Sequence, residues 1–187
     1  MQNTIQDKLP VYSFNCFTKE QVKEINKRIK NDVGELEKQD PSYTASSVSK
    51  IGEFFHVSCV PLMDLIHPWL YQCQQINRET FGYDIYWLFH LEYLNYNVYG
   101  ENGEYGWHID ANPAKTLIDM KLTCLLNLSE EPYEGGEFYK INNPNKNVKF
   151  TSGMGIVFNS LIAHKVTPVT KGKRITLTYF AEGPSWK

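Results

Sequence analysis

A mainly β architecture with N-terminal helices, an α+β arrangement, is expected for this chain of 187 residues. Apolar residues recur at helical spacing before Gly82, and short aromatic and β-branched runs separated by turn signals follow it. No helical pattern interleaves those later runs. Many short strands without intervening helices point to a sandwich, jelly roll or barrel, not to a parallel sheet.

Each element has its own justification. "FTKEQVKEINKRIKN" opens with Thr18, and Gln21 completes a capping box. Val22, Ile25 and Ile29 then share one face, with lysines and glutamates opposite, so this helix should lie against something apolar. Residues 35–50 are polar, include Pro41 and several serines, and read as a loop. In "VPLMDLIHPWLYQCQQINRETFG", Leu62, Leu65, Ile66, Trp69, Leu70 and Cys73 form a second apolar stripe. Pro68 should break it, giving a helix over about 69–80 with a shorter turn before it, and Gly82 should end it. The expected strands lie in "IYWLFHLEYLNYNVY", "MKLTCLLNL", "GEFYKI", "NVKF", "GIVFNS", "HKVTPV" and "RITLTYFAE". Turn signals such as Glu-Gly-Gly and Lys-Gly-Lys separate them. With no linker or repeat, one domain over 1–187 is expected, residues 1–82 supporting a β core over 83–187.

Composition narrows the partners. Hydrophobic content of 42% argues for a folded chain, and a formal charge of −2 offers no electrostatic reason to bind nucleic acid. No apolar run reaches the length of a membrane span, and "MQNTIQDKLP" lacks an apolar signal core, so no membrane partner is expected. Cys16, Cys59, Cys73 and Cys124 are widely spaced without a CxxC pair, which suits reduced thiols in a cytoplasmic protein. The oligomeric state is open.

The chemistry concentrates around "YGWHID", residues 105–110. On a strand, His108 and Asp110 would face one way and Trp107 the other, toward the core. An HxD pair alone is weak, but His164 opens a different expected strand. Two imidazoles and one carboxylate form the ligand set that holds non-haem Fe(II) with open positions. Ten residues beyond His164 stands Arg174, one of only three arginines. Its strand is strongly apolar, and alternation places Thr176 and Thr178 on its face. A buried guanidinium needs an anion, and its planar fork suits a carboxylate. A small dicarboxylate reaching the metal, or a carboxylate of the protein itself, would serve. His56, His67 and His90 lack partners at ligand spacing and read as structural or exposed. The aromatics Tyr83, Tyr86, Trp87, Phe89, Tyr93 and Tyr96 read as core, and "ANPAKTLIDMK" as a loop at the mouth of the site.

"YGWHID", "LLNLSEEPYEGGEFYK" and "SGMGIVFNSLIAHKVTPVTKGKRITLTYF", in this order, resemble the Fe(II)- and 2-oxoglutarate-dependent dioxygenases of the prolyl 4-hydroxylase-like branch. The resemblance covers roughly residues 85–182. It implies a double-stranded β-helix, or jelly roll, for the β core. His108, Asp110 and His164 would hold the metal, and Arg174 would bind the far carboxylate of 2-oxoglutarate; these four form the implied catalytic set. Tyr99, Tyr105 and Thr176 would line the cosubstrate pocket. Some members carry a threonine at the place of Phe138 and a tryptophan at that of Phe180, so Thr123, Asn127, Thr176 and Thr178 are all candidates for the second carboxylate contact.

The activity implied is hydroxylation with Fe(II), 2-oxoglutarate and O2, releasing succinate and CO2, with ascorbate as an accessory reductant. The expected acceptor is a prolyl residue in a peptide or protein; a free amino acid or other small molecule is the alternative. A non-catalytic jelly-roll metal module is a further one. Oxidative demethylation of nucleic acid fits less well, because Phe180 stands where that related family has a second arginine.

Overall fold

The computed structural model describes residues 10–32, 37–38, 48–86, 93–111 and 118–186. Its strands in chain order are β1 (Val11–Asn15), β2 (Glu37–Lys38), β3 (Lys50–Ile51), β4 (Glu53–Ser58), β5 (Tyr93–Tyr99), β6 (Glu104–His108) and β7 (Ile118–Asn127). There follow β8 (Glu134–Gly135), β9 (Phe138–Lys140), β10 (Met154–Asn159), β11 (His164–Val166), β12 (Val169–Lys171) and β13 (Arg174–Pro184). The helices are α1 (Lys19–Asp32) and α2 (Met63–Ile76).

The strands form a seven-stranded sheet ordered β1-β10-β7-β13-β5-β4-β2, a four-stranded sheet ordered β3-β6-β11-β9, and the small pair β12-β8. All the pairings are antiparallel. The architecture is therefore mostly β with a few helices.

Alternation along the large sheet separates its two faces. On β7, Leu122, Cys124 and Leu126 join one core with Val22, Ile25 and Ile29 of α1 and Ile66, Trp69, Leu70 and Cys73 of α2. Leu125, one residue out of phase, belongs to a second core with Phe138, Ile156, Phe158 and Ile162. The helices thus cover one face of the large sheet, while the opposite face is left for the site.

The capping box of α1 is present: Thr18 N–H donates to Gln21 Oε1 at 2.9 Å, and Gln21 N–H donates to Thr18 Oγ1 at 3.3 Å. The same helix buries Asn26, whose amide donates to the Leu128 carbonyl at 2.8 Å and ties α1 to the end of β7.

Four expectations are corrected. First, Pro68 does not break its helix; α2 runs through it from Met63. A mid-helix proline costs about 3 kcal/mol, but Leu62, Ile66, Trp69, Leu70 and Cys73 on either side of it are buried in the core. Burial of a single large apolar side chain stabilises by about 1.5–3 kcal/mol, so several of them outweigh the proline. The helix proper ends at Ile76, a wide turn continues to Phe81, and Gly82 stops it with φ of 64°.

Second, residues 1–82 are not only helical. They contribute β1 to one edge of the large sheet, β4 to its interior and β3 to the smaller sheet. Within the expected loop 35–50, β2 pairs with β4 and Lys50 begins β3. These strands are two to six residues long and pair with partners distant in sequence, so local periodicity carries little trace of them. Third, "NVKF" contributes only an isolated bridge between Val148 and Phe138.

Fourth, Trp107 does not face the core. It is 39% exposed, with Lys165 Nζ 5.1 Å from its ring centroid. Strand alternation turns it away from His108, onto a side of the smaller sheet where it stays partly open to solvent. Of the aromatic run, Tyr96 is buried and Tyr93 is exposed, while Trp87 and Phe89 lie outside the described residues. So do His90 and residues 112–117 of the mouth loop.

Candidate metal and dicarboxylate site

His108 ends β6, and His164 begins β11 directly opposite it in register. Asp110 lies two residues past the end of β6, so strand alternation does not set its direction. Instead the Ser160 carbonyl accepts the N–H groups of both Asp110 and Ala111, each at 3.1 Å. Asp110 Oδ1 comes within 3.5 Å of His108 Nε2, and Oδ2 within 3.6 Å of His164 Nε2. One ligand atom from each of the three residues lies within 4.8 Å of the others, the spread of a shared centre.

Hydrogen bonds fix which atoms face that centre. His108 Nδ1 lies 2.7 Å from the Gly106 carbonyl and His164 Nδ1 lies 2.9 Å from the Ile162 carbonyl. A carbonyl can only accept, so each Nδ1 carries a proton, and in the neutral ring each Nε2 presents a lone pair. Aromatic contacts hold the rings: Tyr105 stacks on His108 at 3.5 Å, while Phe138 and Phe158 flank His164 at 5.3 and 4.8 Å. Burial lowers the His164 pKa, against the pull of Asp110, and so favours the neutral imidazole. Burial raises the Asp110 carboxyl, but the proton-binding histidines beside it and the Thr123 hydroxyl outweigh burial and leave it below its ordinary value. Two imidazoles presenting Nε2 and one carboxylate suit a divalent cation, so the donor set fits iron.

The Arg174 end of the cleft is built from β5 and β13. Register pairs Arg174 with Tyr99, Thr176 with Asn97 and Thr178 with Asn95, so all six face the same side. They line one cleft together with the two histidines and Asp110, about 540 Å³ including its open mouth, a size suited to small molecules. Arg174 is 1% exposed, and its Nε and Nη2 have no hydrogen-bond partner among the described residues. Its guanidinium carbon sits 5.2 Å from the Tyr99 ring and 5.5 Å from that of Phe150, which supports the cation without satisfying its donors. Among the described residues, no protein carboxylate therefore serves as a structural counterion to those two donors. Gly136, in "YEGGEF", has φ of 58°, and a Cβ there would meet Arg174 Cδ at 2.9 Å. The glycine makes room for the arginine.

The four candidates for a second carboxylate contact separate. The Thr123 hydroxyl donates to Asp110 Oδ2 at 2.6 Å. The Asn127 amide is engaged by the Tyr133 hydroxyl and the Phe150 carbonyl. Thr176 and Thr178 both line the cleft and accept from the Asn97 amide, at 3.4 and 3.0 Å, which leaves their own hydroxyl hydrogens to donate into it. Lys50, Asn95 and Asn97 also line it and were not anticipated. The two asparagines carried a usable signal, since their alternation with Leu94, Tyr96 and Val98 marks a polar face. Lys50 carried none, because only the pairing of β3 with β6 brings it there.

Among the described residues, no helix is long and apolar enough to cross a membrane. Among the described residues no disulfide joins Cys16, Cys59, Cys73 and Cys124, and all but Cys16 are buried.

Comparison with known proteins agrees with this geometry. Residues 94–182 match the family described as the 2OG-Fe(II) oxygenase superfamily. A PKHD-type hydroxylase of Alteromonas mediterranea is 40% identical over 88 residues, covering 43% of this chain and 38% of the relative. One of Xylella fastidiosa is 33% identical over 99 residues, covering 46% and 43%. The matches thus span about two fifths of these relatives' length.

Among solved structures, the viral collagen prolyl hydroxylase of Paramecium Bursaria Chlorella virus-1 superposes with a TM-score of 0.68 at 14% identity, covering 96% of this chain and 99% of that one. A Pseudomonas putida prolyl-4-hydroxylase gives 0.68 at 16% identity, with 95% of each chain covered. At such identities the likeness is one of fold. The superfamily match spans both histidines, Asp110 and Arg174, so the part of this chain that carries the site is similar to the 2OG-Fe(II) oxygenases.

Proposed function

We propose that this chain is an Fe(II)- and 2-oxoglutarate-dependent hydroxylase acting on a prolyl residue of a peptide or protein. The observation that carries the reading is Arg174, a fully buried guanidinium whose Nε and Nη2 find no partner among the described residues, opening on the cleft that also contains His108, Asp110 and His164. Such a group costs several kcal/mol to bury unless an anion meets it. A dicarboxylate that bridges Arg174 and a metal satisfies both ends of the cleft at once.

His108, Asp110 and His164 would hold the iron, and Arg174 the distal carboxylate, in the bidentate geometry its fork allows. Thr176, on the same strand face as Arg174, donates the second contact, while Tyr99 and Tyr105 wall the cosubstrate. When bound, iron with 2-oxoglutarate and O2 supplies the oxidation that releases succinate and CO2 and hydroxylates the acceptor. Phe138 and Phe158 keep water away from the back of His164. The Nδ1 hydrogen bonds keep both imidazoles in the tautomer that binds metal. Ascorbate serves as an accessory reductant.

The prolyl acceptor draws support from the PKHD-type relatives and from neighbours named as prolyl hydroxylases. One of these, from Trichoplax adhaerens, is in complex with a hypoxia inducible factor peptide; it superposes with a TM-score of 0.60. The two facing sheets are read as the halves of a jelly roll, with residues 1–187 as one domain. Free thiols and a formal charge of −2 support a cytoplasmic setting without nucleic acid or membrane partners.

The test is anaerobic 2-oxoglutarate binding by Fe(II)-loaded protein, followed by succinate release with O2 across prolyl peptides, free proline and other amino acids. Binding, with succinate release coupled to a prolyl peptide, is expected. Failure to bind 2-oxoglutarate in any loaded form would sink the reading; turnover with free amino acids alone would move the acceptor class.

A further inference from the structure

Thr123 and Ser160 form a buried pair behind Asp110, and hydrogen counting shows how they act. As a carboxylate that would ligate a metal, Asp110 offers only acceptors. The single hydroxyl hydrogen of Thr123 is therefore committed to Asp110 Oδ2, 2.6 Å away. Ser160 Oγ lies 3.0 Å from Thr123 Oγ1, and with that hydrogen spent, Ser160 must be the donor. The relay runs Ser160 to Thr123 to Asp110. Both hydroxyl residues are essentially inaccessible, at 0% and 1% exposure, so water cannot replace either.

The same serine grips the backbone, its carbonyl accepting from Asp110 and Ala111 while its own N–H donates to the Lys121 carbonyl at 3.1 Å. Because Asp110 lies past the end of its strand, no ladder aligns it. Its carboxylate could turn about χ2 and offer a metal either one oxygen or two.

We propose that Thr123, supported by Ser160, is a positioning residue whose hydrogen bond to Asp110 Oδ2 fixes the rotation of the carboxylate between the two histidines. Resting on the iron reading above, this gives the pair a definite role, since a carboxylate held in one rotation presents its oxygens to a metal in one fixed way. Partners behind ligating groups commonly alter metal affinity or activity by about 10–100-fold when removed.

Anaerobic Co(II) titration of the whole protein tests this, because the visible spectrum of Co(II) reports both affinity and coordination number. Thr123→Val, which keeps the side-chain shape, is expected to weaken Co(II) binding about 10-fold or more and to shift the visible bands. Thr123→Ser, which restores the hydroxyl, should return both toward wild type. A folded Thr123→Val protein with wild-type affinity and spectrum would overturn the assignment. So would a Thr123→Ser protein as impaired as Thr123→Val, which would make the role one of packing. Should Thr123→Val not fold, Ser160→Ala decides: a changed spectrum and weaker binding support the relay, and unchanged values overturn it. Wild-type protein that binds no Co(II) or Fe(II) at all would instead overturn the metal reading itself.

Discussion

Replacing Arg174 with methionine should move stability and cosubstrate binding in opposite directions. The wild-type guanidinium is buried, with Nε and Nη2 unpartnered among the described residues. Its desolvation costs several kcal/mol, and the rings of Tyr99 and Phe150 offset about 0.5–2 kcal/mol each. Methionine, of similar length and apolar, removes both terms and leaves a net gain of about 1–2 kcal/mol. In a domain of this size each kcal/mol moves Tm by about 2–4 °C, so the ligand-free variant should melt about 2–8 °C higher. Affinity for 2-oxoglutarate should fall meanwhile. Two charge-assisted hydrogen bonds at about 1.5–3 kcal/mol each amount to a loss of about 10²- to 10⁴-fold. Differential scanning fluorimetry with and without 2-oxoglutarate reads both effects. If Arg174 were a structural cation, methionine would instead lower Tm by the equivalent of about 3–5 kcal/mol and leave the 2-oxoglutarate affinity unchanged. That pattern would defeat the assignment.

Acidification should destabilise the metal-free protein. Both His164 and Asp110 have folded-state pKa values below their ordinary 6.5 and 3.8. The unfolded chain then binds more protons, so stability is full above about pH 6.5 and falls as pH drops through the folded values. Urea melts at pH 7 and pH 5 should show the decline, and His164→Gln should flatten its upper part; rising stability at pH 5 would contradict the shifts. Phe138→Ala removes a fully buried ring lying against His164 and Phe158, and should cost about 3–5 kcal/mol in urea unfolding. Trp107→Ser, on the open side of the smaller sheet, should cost less than about 1 kcal/mol in the same assay. A loss above about 3 kcal/mol there would restore the core placement.

How far the sequence could be read depended on how local the deciding interaction was. Helix α1 was plain because its capping box and stripe lie within one segment. The pocket face of β13 was equally plain, since Arg174, Thr176 and Thr178 alternate with the core residues Leu177 and Tyr179. Strands β1, β3 and β4 were lost because each is short and gains its order from a partner far along the chain. Pro68 misled because local propensity argued for a break that burial on the sheet overrides.

From the residues themselves came the candidate ligands, the arginine and the change of period at Gly82, because spacing and residue chemistry are local properties. Tertiary structure alone decided that Arg174 meets no protein anion among the described residues, and that Thr123 serves Asp110 while Thr176 and Thr178 face the cleft. It also placed Trp107 outward and brought Lys50 to the cleft. Each of these depends on what stands opposite a side chain, and that is set by which strands pair and which sheet face is covered.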